Sequence, residues 1–208
     1  MPVPPPFSYP TERHVRRHGP RGYADPQYFK PWLRDEFQFR CVYCLVRERW
    51  HPDGDGGFSV EHLRPRSRSP QLATEYDNLL YACCRCNAAK QDLEGILDPT
   101  TEPLANHLLV SSEGDVDGLT EAGSELIKVC QLDRTGLVEF RRGIFQLLQM
   151  IQSSNDLKRR EVLGRFFGFP ANLPRLRTLR PPEGNSRPTG IALSANELAL
   201  RGQLPDTY

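Results

Sequence analysis

A chain of 208 residues with 38% apolar content has enough material for one domain of ordinary size with room for a small second lobe. No stretch approaches the roughly 18 consecutive apolar residues of a membrane span, and Met1-Pro2-Val3-Pro4-Pro5-Pro6 lacks the apolar segment of a secretion signal, so membrane and secreted classes are set aside and a cytoplasmic location is expected. The formal charge is only +1, yet Lys/Arg against Asp/Glu runs nine to five over residues 1–50, seven to sixteen over 51–140 and ten to three over 141–187, an acidic centre suited to a divalent cation between basic flanks suited to a polyanion.

Residues 1–24 read as a Pro-rich, then basic arm (Arg13, His14, Arg16, Arg17, His18, Arg21) without periodicity, either disordered or draped on the body, and either a plain flexible tail or a strand of chain able to track a phosphate backbone. Aromatic residues then crowd together, and Pro31 suits the first turn of a helix that places Trp32, Leu33, Glu36 and Phe37 on one stripe. Core packing is the expected role of that segment, with base stacking as the alternative.

The segment 41–90 carries the chemistry. Cys41-Val42-Tyr43-Cys44 and Cys83-Cys84-Arg85-Cys86 are two CxxC pairs about forty residues apart, and a reducing compartment makes four such thiolates a structural zinc site rather than disulfides. Arg40, Arg47 and Arg85 are placed in sequence to offset the negative charge of a four-thiolate zinc; Cys84, in the wrong register, is assigned to packing. His51-Pro52-Asp53-Gly54-Asp55-Gly56-Gly57 is a turn and fails as a calcium loop, because Gly57 and Arg64 stand where ligands are required. Phe58 to His62 alternates as a strand should and runs into a Pro/Ser loop carrying Arg64, Arg66 and Arg68; Asn78 to Ala82 is a second short strand, and Cys83 to Gly95 reads as a helix.

Glu61-His62, Asn78 and Asn87, set between the two cysteine pairs, resemble the HNH endonuclease family, with Asn in place of His at the last motif position. The resemblance covers residues 41–95. It implies a ββα-metal hairpin and helix, an α+β fold class, with His62 as general base, Asn78 as the middle motif residue that pins the loop and orients His62 in the catalytic set, and Glu61 and Asn87 as ligands of a catalytic Mg²⁺ or similar divalent ion. Lys90, Arg64 and Arg66 are candidate phosphate contacts, and Gln91 a weak outer contact.

Further on, His107 to Val110 and Asp115 to Leu119 are expected to pair as a hairpin around Glu113-Gly114. Thr120 should cap a helix whose apolar face holds Leu126, Val129, Cys130 and Leu132, with Cys130 in the core rather than on metal. Phe140 to Phe169 is helical in pattern, broken near Ser153-Ser154-Asn155, and Arg141, Arg142, Lys158, Arg159, Arg160 and Arg165 are either DNA contacts or a solvated face. The remainder is Pro/Arg-rich with a short capped helix near Ser194 to Arg201. The expected units are thus 1–24, a zinc-stapled core at 25–100, a hairpin and helical buttress at 101–169, and a tail at 170–208.

The expected activity is hydrolysis of DNA, with RNA not excluded, by a metal-dependent endonuclease without base-specific recognition of its own. Two other readings stand beside it: a zinc-stabilised nucleic-acid-binding module, and an effector subunit controlled by a protein partner such as an ATPase of a bacterial defence system.

Overall fold

The fold is that of a computed structural model, which describes residues 5–153, 157–186 and 193–208. It is α+β: two small antiparallel hairpins set among helices, with no helix among the described residues long and apolar enough to cross a membrane. Helix α1 (Lys30–Glu36) starts with Pro31 in its first turn and buries Trp32 and Leu33, so the aromatic segment is core. Strand β1 (Phe58–His62) pairs with β2 (Leu79–Cys83) in a register that sets Val60 opposite Tyr81 and His62 opposite Leu79. The Phe58 and Tyr81 rings, diagonal neighbours on that ladder, stack with centroids 5.0 Å apart.

Helix α2 (Cys84–Lys90) follows β2 directly, and the Cys83 thiol accepts the Cys86 amide at its first turn. It stops five residues short of the expected Gly95, because Gln91 takes a positive φ of 51° that no helix can continue. Strands β3 (Leu108–Val110) and β4 (Val116–Gly118) form the expected second hairpin. Its turn needs glycine at 114, where φ is +88° and a side chain would strike the Val138 carbonyl. Thr120 caps α3 (Glu121–Cys130), which buries Leu126 and Cys130 as read from the sequence. Helix α4 (Thr135–Ser153) begins five residues before the expected Phe140 and buries Ile144, Leu148 and Ile151; α5 (Leu157–Phe167) follows, and α6 (Ala195–Leu200) carries the full capping box of Ser194 and Glu197. The expected break at Ser154-Asn155 lies outside the described residues, and so do the side chains of Lys158, Arg159 and Arg160.

A buried polar frame ties the first hairpin to its neighbours. Arg34 of α1 donates two hydrogen bonds to Glu48, at 2.9 and 2.8 Å, and Tyr81 of β2 donates a third at 2.8 Å. Arg47, Arg49 and the Trp50 indole donate to the carbonyls of Arg165, Phe166, Phe167 and Phe169 at and just past the C-terminal end of α5, where helix carbonyls run out of intrahelical donors.

The N-terminal segment is not a free arm from residue 5 onward. Phe7 and Tyr9 are buried, Arg16 donates to the Asp77 and Leu79 carbonyls, and His14 and the amides of Arg17 and His18 all donate to Glu36. Of the expected alternatives the arm is thus draped on the body, with His14, Arg16, Arg17 and His18 bonded to it and Arg13 and Arg21 exposed. The expectation for Arg141 is corrected: it is wholly buried, and its guanidinium donates to the Gly114 and Leu132 carbonyls.

Candidate metal and catalytic site

Two centres flank the hairpin. In the first, Cys41 and Cys44 lie on a turn closed by the Cys41 amide to the Val46 carbonyl, with Leu45 at a φ of 61°, and the Val42 amide bonds the Tyr81 carbonyl of β2. That contact brings the turn against Cys83 and Cys86 at the junction of β2 and α2. The four sulfurs lie within 4.8 Å of one another and are all buried. Four convergent buried thiols without disulfide geometry suit tetrahedral Zn²⁺, which would be closed to water and therefore structural.

The cation beside these sulfurs is not one of those chosen from the sequence. Arg134, at the start of α4, places Nη1 3.9 Å from the Cys86 sulfur. Arg47 is spent on the end of α5, Arg40 donates to the Gln38 side chain, and Arg85 is exposed. Cys84 is exposed as well, not packed, because the turn that brings Cys83 and Cys86 together with Cys41 and Cys44 leaves it on the outer face of α2.

In the second centre, β1 presents Ser59 and Glu61 to α2, as residues two apart on a strand must share a face. Asn87 donates Nδ2 to Ser59 Oγ at 2.7 Å and to the Val60 carbonyl at 3.4 Å. Since a carbonyl only accepts, the amide nitrogen is the inward atom, and Oδ1 accepts no hydrogen bond from a described residue. One turn on, Lys90 places Nζ 2.7 Å from Glu61 Oε1 and donates to the His62 carbonyl at 2.9 Å. Burial pushes the Glu61 carboxyl up to about 7, against the opposing pull of the Lys90 charge. Lys90 is fully buried, so it anchors the two motif residues and does not face outward to a phosphate as the sequence reading had it.

His62 closes β1. Its Nε2 lies 2.9 Å from the Ala73 carbonyl, and that acceptor requires the proton on Nε2, leaving Nδ1 as the ring's lone-pair atom. Burial, with Arg66 and Lys90 nearby, lowers its pKa despite the Ala73 bond, so the ring is neutral near pH 7. Asn78 accepts the Arg64 amide at 2.9 Å and donates to the Arg64 and Leu72 carbonyls, both at 3.1 Å. Its side chain holds the loop from both ends; the bond that orients His62 comes from Ala73, which no motif pointed to.

Glu61, His62 and Asn87 line one cleft of about 490 Å³, with Ser59, Arg66 and Gln91 also on its walls. A carboxylate and an amide oxygen on one wall are hard donors of the kind that Mg²⁺ takes, with space left for water and a phosphate. Arg64 faces a neighbouring cleft.

Residues 41–93 match the family model for the HNH endonuclease. The chain is also 32% identical over 116 residues to Septu protein PtuB of Bacillus thuringiensis, the aligned part being 51% of this chain and 43% of that protein. The chain therefore spans less than half the length of this relative. The family match opens at Cys41, the first of the four clustered cysteines, and closes just past Lys90, the same span over which hairpin, helix and thiols converge, so it is residues 41–93 that carry this chain's similarity to the HNH endonuclease family.

Proposed function

We propose that this protein hydrolyses phosphodiester bonds of DNA in the His62 cleft, with His62 as general base. The observation that carries the reading is the tautomer: the Ala73 carbonyl claims Nε2, and a neutral ring with Nδ1 free of any described partner can take a proton from water at physiological pH. In the step, the water oxygen bonds to phosphorus as its proton passes to Nδ1, and the P–O bond to one sugar breaks, the leaving oxygen being protonated from solvent. Glu61 and Asn87 Oδ1 would hold the divalent ion, which when bound supplies positive charge to the scissile phosphate and the leaving oxygen. Lys90 keeps Glu61 in place, and Asn78 pins the loop beside the cleft through its bonds to Arg64 and Leu72. The four thiols would hold Zn²⁺ as a scaffold.

The test is cleavage of supercoiled plasmid with Mg²⁺, with EDTA, and with His62→Ala. Magnesium-dependent nicking or cutting that His62→Ala loses is expected; equal behaviour of wild type and variant would leave only a nucleic-acid-binding module.

The similarity to Septu protein PtuB favours one refinement, that the activity belongs to a two-component bacterial defence system in the cytoplasm and is governed by a partner, for instance an ATPase subunit. Weak cleavage by the isolated chain, raised by co-expression with the product of a neighbouring gene, is the expected sign. Full activity of the purified chain, indifferent to such a product, would remove the partner from the account.

A further inference from the structure

The loop after β1 sets Arg64, Arg66 and Arg68 at alternate positions, all exposed. Among the described residues none of the three guanidinium groups has a carboxylate within ion-pair distance or a hydrogen-bond acceptor. By contrast Arg16, Arg17, Arg34, Arg47, Arg49, Arg134 and Arg141 are bonded within the fold, and of the described arginines without such a bond these three share one loop at the mouth of the His62 cleft. Nor is the loop loose. Asn78 grips both the amide and the carbonyl of Arg64, Pro65 is buried, and the Pro65 carbonyl accepts the amides of Arg68 and Ser69 at 3.0 and 2.8 Å. Three unpaired cations on a fixed backbone are preorganised for an anion from outside.

The loop also sorts them. Arg66, with Pro65 and Ser67, lines the cleft that holds Glu61, His62 and Asn87. Arg64 and Arg68 line a separate cleft of about 600 Å³ with Leu63 and Ser69, whose other residues include Glu94 and Asp98. Asp98 is occupied by the amide and hydroxyl of Thr100. Arg66 is close enough to His62 for its charge to act on the ring.

We propose that this loop divides phosphate recognition: Arg66 contacts the scissile phosphate in the His62 cleft, and Arg64 with Arg68 grips a neighbouring phosphate of the same nucleic acid in the adjoining cleft. The inference rests on the nuclease reading and assigns its substrate contacts. A guanidinium at the scissile phosphate meets charge that builds in the transition state, and its worth appears in kcat. A guanidinium on a flanking phosphate meets the same charge before and during reaction, and its worth appears in KM and in the salt dependence of binding.

The experiment compares the full chain with Arg66→Ala and with the double variant Arg64→Ala/Arg68→Ala, each checked for a wild-type melting curve. Binding of a fluorescent DNA duplex is measured by anisotropy without divalent ion over a range of salt, and cleavage with Mg²⁺ gives kcat and KM. Arg66→Ala should lower kcat by about 10²-fold, the usual worth of one such donor. The double variant should raise KM and cut the slope of log affinity against log salt by about 2, near 0.9 for each lost contact. Equal losses of binding in both variants, or a kcat loss confined to the double variant, would overturn the division. Should the wild type fail to cut DNA under any condition, the nuclease reading falls, and the salt slopes alone still decide whether Arg64 and Arg68 are set apart from Arg66.

Discussion

At the end of β1 the Glu61 carboxylate and the Lys90 ammonium meet at 2.7 Å with almost no exposure to solvent. Removing one member of such a pair leaves the other buried without compensation, so Lys90→Met should destabilise the protein by about 3–5 kcal/mol. Glu61→Gln added to Lys90→Met should recover part of that loss, because the orphaned charge is then gone. Urea melts of the four members of this cycle test the point, and additive losses would refute the coupling. His62 is different in kind. It makes one bond to a backbone carbonyl, and His62→Ala should cost little stability while lowering cleavage by about 10²–10⁴-fold, the range of a general base. Asn78→Ala should do both, since it strips the Arg64 amide and carbonyl of their Asn78 partner at about 1–3 kcal/mol and releases the loop beside the cleft. A melt and a rate measured on the same preparation separate the two effects.

The hairpin β1–β2 and helix α2 are too short to hold together without help. Five-residue strands and a seven-residue helix depend on the surrounding core and on the junction at Cys83–Cys86, where the four thiols meet. Ligand thiols in structural zinc sites contribute about 10–16 kcal/mol of binding energy in small zinc modules, and here that energy would be folding energy. Native mass should therefore show one zinc per chain, and chelation under mildly denaturing conditions should abolish the cooperative melt. A chain that loses its zinc and melts as before would show the cluster to be dispensable. α2 also explains why stability and catalysis are joined in this element. Cys86 faces the other thiols, while Asn87 and Lys90, three residues apart, face β1, so a single short helix carries a candidate zinc ligand, a candidate ligand of the catalytic ion and the partner of Glu61.

Over the whole molecule, both ends of the described chain close on α1. Asp35 accepts from His18 at 2.8 Å and from the Ala195 amide at 2.7 Å, while Glu36 accepts from His14, from the amides of Arg17 and His18, and from Tyr76. Burial would raise the Glu36 carboxyl, but the bonds from His14 and Arg17 and the charge of Arg16 outweigh it and hold its pKa below the usual value of 4.5. A carboxylate depressed in the folded state stabilises fully above its unfolded pKa, and that contribution is lost as pH falls through the folded one. Proteolysis near Arg13 to Arg21 should thus be slow at pH 6–7 and rise below about pH 4, and Glu36→Gln should show the fast cleavage already at neutral pH. The thiol pairs, Glu61-His62, the two asparagines and the two hairpins could all be read from residue order, because each is a matter of spacing over a few positions or of a two-residue period. The expected unit boundaries remain a proposal. What no spacing could reveal is which distant segment arrives beside each group: that Arg134 and not Arg40, Arg47 or Arg85 lies by the sulfurs, that Lys90 turns inward to Glu61, that Ala73 selects the His62 tautomer, and that His14, Arg17 and His18 are spent on Glu36 and Asp35. Those facts depend on long-range packing. A charged side chain with a buried partner and one that awaits a ligand look the same along the chain, and only the fold tells them apart.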